Sequence, residues 1–365
     1  MKKLFLFFGM LTVLFSGAQQ SSKIENIIIV TSDGLRWQEV FNGMDSTIAS
    51  INKFHGGDSA YIFERYWAAT ETERRKNLMP FLWSTIGTQG QLYGNRNFGN
   101  KVDNANPYKF SYPGYSEIFT GYPDSAVNSN DYPPNPNINV LEFINKQPGY
   151  KGKVAAFGAW EAFNRILNEK RSGFPVIAAF DQTGGTNATA KEQLINAMLK
   201  DSYKPWRQHE CLDVFTHYAT LEYLKTRKPR VLFIGYGETD EWAHAGRYNN
   251  YLDAAHQVDQ WLGDLWSFVQ SDLRYKNKTA LLITVDHGRG DKNKENWTSH
   301  GQSIPDAHEI WFAVMGPGLP ASGEIKTEMQ LYQKQLAKTI ADLLGMEFIA
   351  DHPVADKITQ IKEPR

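Results

Sequence analysis

The chain has 365 residues, 41% of them hydrophobic, with 39 lysines and arginines against 40 aspartates and glutamates and a formal net charge of −1. That balance argues against a nucleic-acid polymer or an anionic membrane surface as partner. The length is ample for a large core, and a single cysteine, Cys211, excludes an internal disulfide.

In chain order, residues 1–18 place Lys2 and Lys3 before an apolar run from Leu4 to Phe15, followed by Ser16, Gly17 and Ala18. This is the layout of a secretory signal cleaved after Ala18, and the run is short for a membrane span. The expectation is therefore a leader at 1–18 and a single domain over 19–365 with no membrane span after cleavage. Export without disulfides suggests a bacterial periplasmic or secreted protein. Residues 26–32 ("NIIIVTS") read as a strand ending at Asp33. Residues 79–90 read as a helix ending at Gly90. Helical spacing follows at 138–147 and 161–169, with strands at 153–159 and 174–180 between and beyond them. Further helices are predicted at 190–201 and 211–227, the second beginning at Cys211, which reads as buried structure rather than a nucleophile. A strand at 230–237 precedes "ETDEWAH", a helix spans 250–272, and a strand at 279–285 leads into "DHGRG". A strand at 309–316 and a helix over 328–345 close the chain. The strands are almost continuously apolar, as in sheets covered on both faces. Strands alternating with helices predict an α/β fold: a mainly parallel central sheet with helices on both faces.

In such sheets ligands sit beyond the carboxyl ends of the strands. Three predicted strand ends carry metal-type side chains. Asp33 follows the first. Asp240 and His244 follow the strand at 230–237, four residues apart and on one face of a helix that begins there. Asp286 and His287 follow the strand at 279–285; as neighbours they share a site only if the chain turns, which Gly288 and Gly290 would permit. His300, in a polar loop, reads as the third histidine. His308, one residue before an apolar strand, reads as solvated. Each group alone has an ordinary alternative, a turn or an exposed pair. Together, three aspartates and three histidines exceed the needs of one zinc and fit two metals with positions left for substrate and nucleophile.

The motifs "VTSDGLR", "FSYPGYSEIFTGYPD", "GYGETDEWAHAGR", "TVDHGRG" and "SHG…IWFAVMGPG", in this order over about residues 25–318, resemble the alkaline phosphatase superfamily. The closer likeness is to its type I phosphodiesterase/nucleotide pyrophosphatase branch. The resemblance implies one zinc on Asp240, His244 and His300, and another on Asp33, Asp286, His287 and the nucleophile oxygen; manganese could also serve. The branch carries a threonine followed by an aromatic residue and proline. Ser111, Tyr112 and Pro113 match that frame, which makes Ser111 the nucleophile, with Ser116 and Thr120 as rivals. The asparagine that follows the proline in that branch is Gly114 here. Asn130 aligns with an asparagine that helps hold the phosphoryl oxygens, with Asn128 as the other choice. The frame lacks the arginine of formylglycine sulfatases.

The implied activity is a phosphoric ester hydrolase acting on a small-molecule phosphate ester, diester before monoester, through a phosphoseryl intermediate. The bound metals would lower the serine pKa and receive the leaving oxygen. Phosphonate or sulfate ester hydrolysis on the same scaffold, and a metal-stabilised binding protein without catalysis, are the other readings. Arg36, Lys76, Arg247 and Arg289 are the candidates for the additional cation that a monoester needs. Tyr112, Tyr115 and Trp37 are candidates for lining a base or aryl pocket.

Overall fold

The computed structural model describes residues 24–363; the leader expected at 1–18 lies outside them. Eleven strands are described: β1 (Asn26–Ser32), β2 (Gln91–Tyr93), β3 (Asn100–Asp103), β4 (Val154–Gly158), β5 (Val176–Ala178), β6 (Val231–Tyr236), β7 (Thr279–Thr284), β8 (Glu309–Ile310), β9 (Phe312–Met315), β10 (Gly323–Glu324) and β11 (Met329–Tyr332). Eight of them form one sheet in the order β10-β2-β9-β7-β1-β6-β4-β5. The run from β7 to β5 is parallel, and β9 is antiparallel to both β7 and β2. This is the expected α/β architecture, a mostly parallel central sheet flanked by helices. β1 sits between β6 and β7, with Val30 opposite Ile234 on one side and Ile283 on the other. All seven of its residues are buried, which is why its sequence shows no polar alternation.

The helices that matter for the site are α1 (Ser111–Thr120), α2 (Ala190–Asp201), α3 (Asp213–Arg227), α4 (Glu238–His244), α5 (Tyr248–Ser271) and α6 (Leu336–Leu343). α2 spans the predicted residues because Thr189 and Glu192 close a reciprocal cap at its start. α5 buries Tyr251, Leu252, Ala255, Val258, Leu262, Leu265 and Val269, a stripe at three- and four-residue spacing. One contiguous cluster of buried side chains runs from Ile24 to Ile361. Among the described residues, no helix is long and apolar enough to cross a membrane.

Three sequence expectations need correction. The helix over 328–345 is a strand, a 3-10 turn at Gln333–Gln335 and then α6. Met329 and Leu331 alternate with Gln330 and Tyr332, the period of a strand, and β11 pairs in parallel with β3 in a second sheet of order β11-β3-β8. The strand expected at 309–316 breaks at Trp311, so that β8 joins the small sheet and β9 the large one. The helix over 79–90 contains a π-helical stretch at Leu82–Ile86.

Candidate active site

The three central strands β7, β1 and β6 end side by side. Each delivers an acidic residue at its carboxyl end: Asp286 after β7, Asp33 after β1, and Asp240 from α4, which starts two residues beyond β6. His287 is fully buried among them. Its Nε2 lies 3.3 Å from Asp33 Oδ1, 3.3 Å from Asp286 Oδ2 and 3.8 Å from Asp240 Oδ1. His244 Nε2 lies 3.0 Å from Asp240 Oδ2 and 2.9 Å from His300 Nε2. The His287 and His300 rings stack with centroids 3.9 Å apart. All six residues singled out from the sequence therefore meet at one edge of the sheet. Two groups have ligand atoms within 4.8 Å of one another: Asp240, His244 and His300, and Asp33, Asp240 and His287. Asp240 thus belongs to both groups, a sharing that the sequence did not suggest, and Asp286 reaches the second through His287.

The donor chemistry fits metal. His287 Nδ1 faces the Gly288 carbonyl at 3.0 Å and His300 Nδ1 faces the Lys109 carbonyl at 3.3 Å. A carbonyl only accepts, so each Nδ1 carries the proton and each Nε2 presents a lone pair inward. Asp33 Oδ1 and Asp286 Oδ2 are buried with no hydrogen-bond partner. Oxygens of two carboxylates and an imidazole nitrogen thus face one another at 3.3 Å. A divalent cation would resolve that arrangement. Burial, reinforced by the neighbouring acids, pushes the Asp33 and Asp286 carboxyls well above their usual range. Burial, then His287, holds His300 well below its usual range. Burial also opposes ionisation of Asp240, but the Arg289 guanidinium beside it, with His244 and His300, holds that carboxyl well below its usual range.

Ser111 opens α1, and its Oγ lies 3.4 Å from His287 Nε2. Asn130, exposed like Asn128, accepts from the Tyr112 backbone N–H at 3.0 Å through Oδ1, one residue beyond the serine, and its NH2 remains the free donor end. The rivals are engaged within the helix packing: Ser116 accepts from Asn135 Nδ2 at 2.9 Å, and Thr120 donates to the Ser116 carbonyl at 2.7 Å. Asn128 is exposed. His308 is 3.9 Å from Asp103 and bonds the Pro305 carbonyl, outside both groups.

Gly114 lies against the backbone of Asp286: a Cβ there would sit 2.4 Å from the Asp286 carbonyl oxygen. The departure from the asparagine of the resembling branch therefore has a steric cause. Gly288 likewise is required by close approach, 2.2 Å from a built Cβ to the Glu309 carbonyl oxygen. Its φ is not in the left-handed region, so the turn that joins Asp286 and His287 does not depend on that freedom.

The four cations singled out as monoester candidates are placed otherwise. Arg36 is buried and paired with Glu39, while Arg289 is buried and paired with Asp240. The Arg247 guanidinium packs over Gly56, and Lys76 is exposed on the Glu71–Leu78 helix. Tyr112 and Tyr115 are core residues; Trp37 is buried as well but also lines a cavity with Asn42, Asp45 and Lys294. Tyr115 has a site role that sequence reasoning missed: its hydroxyl donates to Asp33 Oδ2 at 3.1 Å. Its position four residues after Ser111, on the same helix face, was the available signal. Also missed were the Gly34 N–H donated to Asp286 Oδ1 at 3.1 Å, and Asn104 and Gln333, whose side-chain amides hold the Asp286 carbonyl.

Comparison with known proteins agrees with this fold. The Metalloenzyme superfamily profile matches residues 192–348, a span that includes Asp240, His244, Asp286, His287 and His300. Among solved structures, alkaline phosphatase PafA is 11% identical with a TM-score of 0.60, covering 93% of this chain and 99% of that one. Murine ectonucleotide pyrophosphatase/phosphodiesterase 5, in an inactive form in complex with AMP, is 12% identical with a TM-score of 0.54, covering 91% and 97%. Phosphonate monoester hydrolase of Agrobacterium radiobacter is 11% identical with a TM-score of 0.56, covering 93% and 78%. At these identities the likeness is one of fold. No curated protein matches the sequence significantly.

Proposed function

We propose that this chain is a metal-dependent hydrolase of the alkaline phosphatase superfamily, and within it a two-metal phosphoric ester hydrolase that prefers diesters; the metalloenzyme profile match and the shared fold support the first part. The observation that carries the reading is Ser111. Its hydroxyl opens a helix 3.4 Å from His287, a member of one of the two ligand groups. Asp240, His244 and His300 would hold one ion; Asp33, Asp286 and His287, with the serine oxygen, would hold the other. Zinc is the expected metal from the ligand types, and manganese could also serve. When bound, the ions supply Lewis acidity: they favour the ionised serine and offset charge on the phosphoryl and leaving oxygens.

The residues of the chain do the rest. Ser111 Oγ attacks phosphorus, and the bond to the leaving alcohol breaks in line with that attack. The phosphoryl group, still bearing its second ester, is carried on Ser111 and released as a monoester when water adds to phosphorus and the Ser111 Oγ–P bond breaks, with retention overall. Asn130, its Oδ1 fixed on the Tyr112 amide, presents its NH2 to a phosphoryl oxygen as charge develops there. Tyr115 and the Gly34 amide hold Asp33 and Asp286 in place. A monoester brings one more negative charge than a diester and usually meets an added cation. The engagement of Arg36 and Arg289 by carboxylates supports the diester preference. The leader at 1–18 and the single mature domain at 19–365 complete the proposal, with export to the periplasm or medium.

The test is a hydrolysis panel on zinc-loaded protein: bis(p-nitrophenyl) phosphate, p-nitrophenyl phosphate, a phenylphosphonate ester and p-nitrophenyl sulfate. The diester should give the highest kcat/KM. Activity that survives chelation would sink the two-metal reading, and a dominant phosphonate or sulfate rate would reassign the substrate class.

A further inference from the structure

Arg289 follows the Asp286–His287 pair by two residues, yet its side chain points across to the other ligand group. It is 1% exposed. Nε donates to the Trp297 carbonyl and Nη2 to the Thr298 carbonyl, each at 2.7 Å. Nη1 pairs with Asp240 Oδ1, and Nη2 lies 3.5 Å from His244 Nδ1. The fork thus grips two carbonyls directly before His300 and the carboxylate shared by both groups. Each of the three guanidinium nitrogens has a protein partner.

We propose that Arg289 is a positioning residue that assembles the Asp240, His244 and His300 set before metal arrives. The inference rests on the two-metal reading given above. The loop that carries His300 is anchored by the buried Trp297, by the Gly290 amide on the Ser299 carbonyl and by the Lys109 carbonyl on His300, but it is open beyond them: Ser299 and His300 are part-exposed, and Gly301 packs against nothing within 4 Å of a built Cβ. His300 reaches Asp240 and His244 only if residues 297–299 are held, and the planar fork of arginine can hold two carbonyls and a carboxylate at once. Lysine carries the same charge without that geometry. The Asp33, Asp286 and His287 group is held by other contacts, from Tyr115, the Gly34 amide, Asn104 and Gln333. Arg289 should therefore matter chiefly to one metal equivalent and touch the other only through the shared Asp240.

The experiment counts and titrates zinc on the wild-type protein, Arg289→Gln, Arg289→Lys, His300→Ala and the Arg289→Gln/His300→Ala double variant. Calorimetry reads affinity, and elemental analysis reads equivalents after dialysis. Wild type should take up two. Arg289→Gln should keep one at wild-type affinity, which also reports a folded protein, and bind the second about 10- to 100-fold more weakly. Arg289→Lys should recover only part of that loss. The double variant should lose no more than His300→Ala alone, because both changes act on one ion. Two wild-type equivalents with both retained at full affinity in Arg289→Gln would overturn the role of Arg289 alone. So would loss of both equivalents in that variant, or full recovery by lysine. A single equivalent in the wild type would overturn the two-metal reading, and this inference with it.

Discussion

Replacing Gly114 with alanine should damage catalysis more than a methyl group normally does. The added carbon would meet the Asp286 carbonyl oxygen at 2.4 Å, its carbonyl carbon at 2.9 Å and its Cβ at 3.2 Å. Neither side can swing away. The Asp286 carbonyl is fixed by Asn104 Nδ2 at 2.7 Å and Gln333 Nε2 at 2.8 Å, and the Gly114 amide bonds the Phe110 carbonyl within the first turn of α1. The oxygen contact is about 1 Å inside ordinary van der Waals distance, so the helix must retreat by a comparable amount. Overpacking of this kind costs about 1–3 kcal/mol of stability. Ser111 sits one turn earlier on the same helix and moves with it. A misplacement of about 1 Å at a reacting atom costs on the order of 100-fold in rate. The assay is kcat/KM on bis(p-nitrophenyl) phosphate with zinc, alongside zinc content. Ser116→Ala is the control: it loses the 2.9 Å bond from Asn135 and about 1 kcal/mol of stability, without crowding Asp286. Wild-type kcat/KM in Gly114→Ala with two zincs bound would refute the argument that this contact sets the position of the nucleophile.

Other outcomes follow from the same geometry. Ser111→Ala should abolish trapping of a phosphoenzyme while keeping zinc content near wild type; undiminished phosphoenzyme would move the nucleophile elsewhere. His300→Ala should lose one zinc equivalent and His308→Ala none, read by elemental analysis, since His308 faces Asp103 rather than either group; the reverse pattern would show the third histidine misassigned. Tyr115→Phe removes the hydrogen bond to Asp33 and should weaken binding of one zinc about 10-fold, measured by calorimetry, with the fold intact. Cys211 is buried and its thiol is pushed up to about 12, chiefly by burial. At pH 8 it is overwhelmingly protonated, so native protein should resist iodoacetamide and label only in denaturant.

The buried strands were legible because each is apolar on both faces, and that single pattern located the strand ends where ligands gather. β2, β3 and β10 were not, being four residues or fewer with no room for a period to show. The segment 328–345 was misread because glutamine and leucine spacing suits a helix, while its first residues are claimed by an edge that β3 offers. Among site residues, the aspartates and histidines announced themselves by chemistry and by position after strands. Tyr115, Asn104, Gln333 and Arg289 did not, because their roles depend on neighbours far away in sequence. Nothing in "DHGRG" tells an arginine that touches substrate from one that reaches across to Asp240; only the bonds to Trp297 and Thr298 decide it.

Among the described strands, the one earliest in the chain lies in the middle of the large sheet. β1 is flanked by β6 and β7, and the bond from the Gly34 amide to Asp286 spans 252 residues. A nascent chain that ends before Val231 has neither neighbour for β1, and its most apolar segment stays unpaired until the last part of the sheet emerges. Topologies dominated by such distant pairings fold slowly. The same delay means that the ligand cluster, and with it the means to capture an ion, exists only once β6 and β7 have closed around β1.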